Sequence, residues 1–439
     1  MKKVVKFGGS SLADAEQFKK VANIVKADPD RHFVIPSAPG KRFSGDTKVT
    51  DLLYRLHNEA STGKDYSDTL ATIKDRYSSI AEELDITVDL NAEFDLIKTN
   101  LENGTSVDYI ASRGEYLNGK LLSAYLGFEF IDPAEIIFFD EEGNFDTEHT
   151  DEVLPGRLKE VEYGVIPGFY GSMNDGSVKT FSRGGSDITG SIVARGVHAD
   201  LYENWTDVSG FLVTDPHIVE DPVVIKSLTY REMRELSYMG ATVLHEEAVF
   251  PLRREGIPVN VKNTNDPEAP GTLIVESTCY KPDYVITGIG GKKGFVSITI
   301  EKDLMNSEIG FGRKVLQVFE ENGLSFEHTP SGIDTFTIYV SQKEFAPKEQ
   351  SVIAGLQRAV HPDLIELESD LALIAVVGRG MKSTRGTAGR IFSALAHARV
   401  NVKMIDQGSS ELNIIVGVQN ADFEKAIRAI YDIFIKTVD

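Results

Sequence analysis

Lys3-Val4-Val5-Lys6-Phe7-Gly8-Gly9-Ser10 opens the chain with a β-prone run that ends in a glycine pair. A helical pattern starts at Ser11, and Leu12 to Val25 continues it. Glycines carry no Cβ, so a ligand can come close to the backbone there. A strand that turns into a helix N-terminus also presents free N–H groups, which suit an anion. Lys6 adds a positive charge just before the turn. These residues fit a phosphate cradle, and they fit an ordinary strand-to-helix turn as well. Lys6 is the harder residue to assign to scaffold, because a lysine inside a buried β-run needs an anionic partner.

Outward from this stretch, strands and helices alternate to about residue 280. His32 to Ile35 reads as a second strand, ending in Pro36-Ser37-Ala38-Pro39-Gly40. Residues 51 to 103 carry apolar positions at helical spacing (Leu52, Leu53, Leu56, Ile80, Leu84), as a helical lid or as scaffold. Val107 to Ile110 leads into Ser112-Arg113-Gly114-Glu115 and a helix through Leu122. A strand at Val178 to Phe181 meets Ser182-Arg183-Gly184-Gly185-Ser186-Asp187, then a helix from Ile188 to Arg195. A strand at Leu201 to Trp205 opens into Thr206-Asp207-Val208-Ser209-Gly210. Glycine or small polar residues beside a charge thus recur at what read as strand ends. In an α/β sheet, ligands bind at that C-terminal edge. The turn formers of Asn263 to Gly271 close the pattern.

After about residue 285 the chain repeats itself. The first copy reads as a strand at Phe295–Ile300, a helix at Gly312–Asn322, strands at Leu324–His328 and Phe336–Val340, and a helix at Ser351–Val360. About 77 residues on, the order recurs: Leu371–Val377, Gly389–Ala398, Val400–Ile405, Leu412–Val418, Ala421–Ile433. This is a tandem βαββαβ, or ferredoxin-like, arrangement. We expect domains at 1–284 and 285–439, the latter divided at about 292–368 and 369–439, with a strand near 285–289 pairing with the second copy.

Composition sets limits. The 41% hydrophobic content builds a core without staples, and the single Cys279 excludes an internal disulfide framework. No apolar run reaches membrane-spanning length, and Gly8-Gly9 interrupts any signal-like segment. A soluble cytoplasmic protein is expected, with no membrane partner. The net charge of −21 speaks against nucleic acid as a partner. A nucleotide ligand would therefore depend on local cations. The Walker A, G-x-G-x-x-G, H-E-x-x-H and G-x-S-x-G signatures are all missing, and no cysteine–histidine set suggests a metal. What remains is anion handling by Lys6, Arg183 and Lys262, with N–H groups from Gly8, Gly9, Gly184 and Gly185.

Lys6-Phe7-Gly8-Gly9-Ser10-Ser11 resembles the opening signature of aspartate kinases. Ser112 to Glu115, Arg183 to Asp187, Trp205 to Val208 and Asn263-Thr264 to Gly271-Thr272 match that family's further motifs in order. The repeats look like its paired ACT domains, so the resemblance spans essentially the whole chain. It is to the form without a fused homoserine dehydrogenase. It implies an amino-acid-kinase-like α/β sandwich followed by two ACT domains. The implied reaction is transfer of the γ-phosphoryl group of ATP to the side chain of L-aspartate, giving 4-phospho-L-aspartate. This begins lysine, threonine and methionine synthesis. The acceptor carboxylate is already ionised near neutral pH, so no general base is required. Positioning and charge neutralisation carry the catalysis.

By resemblance, Lys6 contacts the transferring phosphate, with Gly8, Gly9 and Ser10 giving N–H groups, and Thr206, Asp207 and Lys262 on the nucleotide side. Mg²⁺ would be held mainly by the ATP phosphates. Arg183 would clamp a substrate carboxylate and Glu115 hold the ammonium; Ser37, Thr50, Ser186 and Asp187 complete the aspartate site. Local readings stay open: an Arg113–Glu115 ion pair, Asp187 as a helix cap, Thr50 as an N-cap. The chain has Ser37-Ala38-Pro39-Gly40 where the family often has Ser-Ala-Met-Gly. Its Gly210-Phe211-Leu212-Val213-Thr214-Asp215-Pro216-His217 departs from Gly-Ile-Tyr-Thr-Thr-Asp-Pro-Arg, so Leu212 and His217 are not assigned as ligands. The effector region falls at Met305, Ser307, Phe311 and Gly312 with Ser325, Glu327, Ser331 and Asp334. Lysine is the favoured effector, with threonine alone or jointly as the alternative, and the ACT domains would join a homodimer or tetramer. The rivals are a kinase acting on glutamate, acetylglutamate or carbamate, and an amino-acid sensor without turnover.

Overall fold

The computed structural model describes residues 1–437 except 183, 242, 243, 245 and 278–282. The chain divides into two compact units. The first comprises Met1–Phe211, Val224–Tyr230 and Val243–Thr278. The second comprises Leu212–Val223, Arg231–Thr242 and Cys279–Asp439.

The first unit is built on an eight-stranded sheet. Its order is Ser227–Thr229, Thr272–Val275, Val259–Asn263, Leu201–Thr206, Lys3–Phe7, Arg31–Pro36, Gly164–Val165, Glu129–Phe130. The central strands Val259–Asn263, Leu201–Thr206, Lys3–Phe7 and Arg31–Pro36 run parallel. Phe7 stands level with Pro36 and with Trp205, and Asn263 with Thr206. Four loops therefore leave one edge of the sheet together. The loop after Asn263 is a return: through 264–271 the chain turns back and adds Thr272–Val275 as an antiparallel neighbour. A second, four-stranded sheet combines Phe145–Asp146, Phe138–Phe139, Tyr170–Met173 and Val178–Thr180.

The first helical stretch comes in two pieces, a 3₁₀ turn Gly9–Leu12 and a helix Ala15–Lys26 capped by the Asp14 carboxylate on the Gln17 N–H. Residues 51 to 103 form three helices, Val49–Ser61, Ser67–Glu83 and Leu90–Glu102. They are scaffold: Leu53, Tyr77 and Phe94 share one core with Val5, Phe7, Val34 and Trp205. Ser112 to Glu115 does not sit at a strand end. It lies within one helix, Val107–Leu126, capped by Ser106. Val107 and Ile110 lower helix propensity only slightly, and burial of Ile110, Leu117 and Leu121 outweighs that.

The second unit contains a five-stranded antiparallel sheet. Two 14-residue strands, Gly288–Glu301 and Leu364–Val377, run through both repeats. Phe295–Glu301 pairs with Thr335–Ser341, whereas Gly288–Lys293 pairs with Ala372–Val377. The first repeat thus emerges from within the second. Its helices Phe311–Glu321 and Glu349–Val360 cover a core of Ile298, Val315, Ile338 and Leu356. The expected strand at Leu324–His328 reduces to a single bridge between His328 and Tyr339. Leu324 is drawn into the core while Ser325 and Phe326 are exposed, which breaks the strand alternation. Likewise Val400–Ile405 contributes only Met404–Asp406. The last helices are Thr387–His397 and Phe423–Tyr431.

Candidate active site

Lys6 and Asn204 are register partners on adjacent parallel strands, so their side chains leave the same face of the sheet. The helix Gly185–Gly196 packs against these strands. Gly184, at φ 58°, takes the left-handed conformation that starts this helix, a conformation open to glycine. One turn in, the Asp187 carboxylate meets the Lys6 ammonium at 2.6 Å. Asn204 Nδ2 donates to the same oxygen, Oδ1, at 2.7 Å. The pair is largely enclosed, with side chains 10% and 13% exposed. Asp187 is therefore no helix cap; it is the anionic partner that a lysine in a buried strand requires.

Beyond Phe7 the backbone is tightly specified. The Gly8 N–H donates to the Trp205 carbonyl at 2.9 Å, so it is already engaged. Gly9 and Ser10 begin the 3₁₀ turn, where an N–H has no acceptor within the turn. Gly40 N–H donates to the Gly9 carbonyl at 2.8 Å, and a Cβ on Gly40 would lie 2.6 Å from the Gly9 carbonyl carbon. Only a glycine brings these two loops into contact. The N–H groups left free for an anion are thus those of Gly9 and Ser10, with Gly8 tying the turn to the sheet.

Glu115 sits beside Ala38, just past the second strand. It is 5% exposed, and its Oε2 has no hydrogen-bond partner. Burial pushes its carboxyl up to about 8, against backbone hydrogen bonds from Ala38 and Glu115 and the nearby charge of Lys6. Arg113 does not pair with it. The guanidinium bonds Ser112 Oγ and stacks on Tyr109, Tyr116 and Tyr170. Three residues on from Glu115, Asn118 Nδ2 donates to the Ser37 carbonyl at 2.6 Å. Ser37 N–H in turn reaches the Phe7 carbonyl. Thr50 lies half-buried within the first turn of its helix, after the cap position at Lys48. Ser186 is buried beside Asp187. Arg183 lies outside the described residues.

Thr206 ends its strand and Asp207 follows, the two joined by a 3.2 Å hydroxyl–carboxylate bond. Thr264 N–H donates to the Thr206 carbonyl, and Thr264 Oγ1 shares a 2.7 Å bond with Ser11 Oγ. Lys262 is not beside Lys6. It is level with Trp205 and lies 5.1 Å over that indole, on the opposite face from Lys6. In the second unit, Met305 and Phe311 are core side chains, Phe311 lying against Phe336. Gly312, Ser331 and Asp334 surround the same strand end; Ser331 bridges Phe336, and the Asp334 carbonyl accepts from Lys302 N–H. Ser307 and Ser325 are exposed. Glu327 accepts a 2.6 Å bond from the Tyr238 hydroxyl.

Three supporting residues escaped the sequence reading. Besides Asn204 and Asn118, Arg76 is buried and donates to the Gly40 carbonyl (3.0 Å) and to Asp46 (2.6 Å), strapping the Ser37–Asp46 loop. Its signal was present: an arginine on the apolar stripe of Ile73, Tyr77 and Ile80. Asn204 had no such signal, since it follows Glu203 in the mixed run Leu201-Tyr202-Glu203-Asn204-Trp205.

A glycine turn, a strand-borne lysine and a buried carboxylate gather where the parallel central strands of the sheet end. Residues 1–263 match the model of the amino acid kinase family and residues 374–434 that of the ACT domain. The chain is 45% identical to aspartokinase 3 of Bacillus subtilis, over 98% of both chains. It is 52% identical to the crystallised aspartate kinase of Clostridium acetobutylicum, at a TM-score of 0.91 over 99% of this chain and 100% of that one. Escherichia coli aspartokinase III has been solved with aspartate and ADP and with lysine and aspartate. It superimposes at a TM-score of 0.75, with 26% and 25% identity over 99% of each chain. The chain belongs to the aspartokinase family. Its activity is ATP-dependent phosphorylation of aspartate, with ACT domains as the regulatory part.

Proposed function

We propose a division of labour across the sheet edge. Gly9 and Ser10 hold the ATP phosphates by backbone N–H groups, with Gly8 fixing the loop. Thr206, Asp207 and Lys262 lie on the nucleotide side, Lys262 from the opposite face. Arg183 receives the α-carboxylate of aspartate, since a guanidinium binds carboxylate through two parallel bonds. Glu115 takes the ammonium, and Ser37, Thr50 and Ser186 close the pocket. The side-chain carboxylate of aspartate attacks the γ-phosphorus, and ADP leaves. Lys6 meets the charge on the phosphoryl group in transit, while Asp187 keeps its ammonium in place. Among the described residues, no three acidic, histidine or cysteine side chains gather as a metal cage. Mg²⁺ would be held mainly by the ATP phosphates, whose oxygens suit this hard cation.

The observation that carries this reading is the Lys6–Asp187 pair beside an otherwise unpartnered Glu115 oxygen. In the second unit, the strand end around Phe336 is the effector region, and lysine is its ligand. Threonine, alone or jointly, is the alternative. Association through the ACT domains makes the working protein an oligomer. No helix among the described residues is long and apolar enough to cross a membrane. ADP release with aspartate against glutamate, repeated with lysine, threonine and both, tests the reading. Aspartate-dependent turnover reduced by lysine supports it. Equal turnover with glutamate would remove the substrate assignment, and indifference to lysine would remove the effector assignment.

A further inference from the structure

Asn204 has no part in the reaction as outlined, yet it touches the ion pair at its centre. It is 3% exposed, in the strand Leu201–Thr206. Its Nδ2 and the Lys6 ammonium converge on one oxygen of Asp187, at 2.7 and 2.6 Å. An ion pair alone leaves a carboxylate free to rotate and to offer either oxygen. A second donor, fixed on the neighbouring strand in register with Lys6, removes that freedom. The amide is neutral, so it orients the carboxylate without competing for the lysine charge.

We infer that Asn204 is a positioning residue for phosphoryl transfer. It locks the Asp187 carboxylate so that Lys6 is held at one point beside the cradle. The inference rests on the roles given above to Lys6 and Asp187. Proteins that place a charge for a transition state depend on such supports, and a misplacement of about 1 Å costs about a hundredfold.

Three variants test it. Asn204→Leu keeps the volume and removes the donor. Its kcat is expected to fall about ten- to hundredfold, with the KM values for ATP and aspartate within twofold. Asn204→Asp places a second carboxylate against Asp187. Like charges raise the pKa of one partner, and the protonated form donates to Asp187 as the amide does. The other titratable groups facing this point among the described residues are Lys6, Glu115 and the Tyr202 hydroxyl. Dividing the variant's kcat by that of the parent protein at each pH cancels their titration. That ratio is expected to rise as pH falls from 8 to 6, a response a purely structural role would not produce. Asn204→Leu with kcat within twofold of the parent overturns the inference, as does a loss confined to KM. If Asn204→Leu fails to fold, a pH-independent ratio for Asn204→Asp overturns it. Asp187→Ala separates the two levels: if it turns over normally, the role of Asp187 itself falls, whereas an inactive Asp187→Ala beside a normal Asn204→Leu removes only Asn204.

Discussion

Glu115 must lose a proton before it can hold an ammonium group, and its burial keeps that proton on up to a pH of about 8. The aspartate KM is therefore expected to fall as pH rises, roughly tenfold per unit below 8 and levelling above it. Steady-state measurements across that range check it, and Glu115→Gln should raise KM and flatten the slope. A flat profile in the parent protein would remove Glu115 from ammonium binding. The same shift affects the fold. The folded state holds this proton more tightly than the unfolded state, so unliganded stability declines as pH climbs from the ordinary carboxylate range toward 8. Lys6 is the opposite case: its charge is already satisfied by Asp187 at rest, and the role proposed for it falls during transfer. Lys6→Ala should lower kcat about 10²–10³-fold with an unchanged circular dichroism spectrum; ordinary kcat would exclude Lys6 from the mechanism. Lys6 was legible in the sequence because a lysine in an apolar β-run has few innocent explanations. Asn204 was not, because an asparagine satisfies itself in many settings. Its meaning depends on which strand lies next to it, and that strand is about two hundred residues away.

At the scale of elements, the loop Ser37–Asp46 is fixed from outside its own sequence. Arg76 reaches it from the helix Ser67–Glu83, and Arg42 bonds Asp46 from within the loop. The Arg42 bond chiefly holds the Asp46 carboxyl well below the usual carboxylate range, against burial. Its contribution to stability is thus present above the ordinary aspartate range and is lost as pH falls from that range to the lowered value of the folded state. Arg76→Met removes the bonds to Gly40 and Asp46 and should cost about 2–3 kcal/mol. The aspartate KM should rise more than kcat falls, because the strapped loop carries Ser37, proposed above to line the aspartate pocket, and Gly40, which packs on Gly9. Denaturant titration and kinetics on the same preparation check both, and an unchanged KM would reduce Arg76 to scaffold. The helices of residues 51–103 were readable from their 3.6-residue period. Their place in the core was not, since period does not say which partner an apolar face meets. Val107–Leu126 misled for a related reason: its β-branched start is a local signal, while its helical state is settled by packing. The strand expected at Leu324–His328 failed because apolar residues there do not alternate between faces, and one bridge to Tyr339 is all the sheet edge accepts.

At the scale of the molecule, the regulatory unit is not a simple C-terminal tail. Segments Leu212–Val223 and Arg231–Thr242 belong to it, although the chain passes through them between strands of the kinase sheet. Within this unit, fully buried Glu232 accepts from the Thr287 hydroxyl and from the Arg379 backbone and guanidinium. Ile289 N–H donates to the Val213 carbonyl, and Arg428 to that of Ile218. The second repeat thus grips the segment that follows Gly210 and the helix that follows Thr229. Sequence periodicity could find the repeats but not this grip, because the gripped segments lie outside the repeating pattern. A ligand that biases the regulatory unit acts on segments covalently continuous, on both sides, with strands of the eight-stranded sheet. Such coupling must be reciprocal: if lysine weakens substrate binding by some factor, substrates weaken lysine binding by the same factor. We expect a factor of about 5–150, measurable by calorimetry of lysine binding with and without saturating aspartate and a non-hydrolysable ATP analogue. The reverse titration, of the analogue with and without lysine, should return the same factor. Threonine serves as the comparison ligand in both arms. Lysine that binds with equal affinity in both conditions would place inhibition outside this two-state coupling, however tightly the regulatory unit holds it.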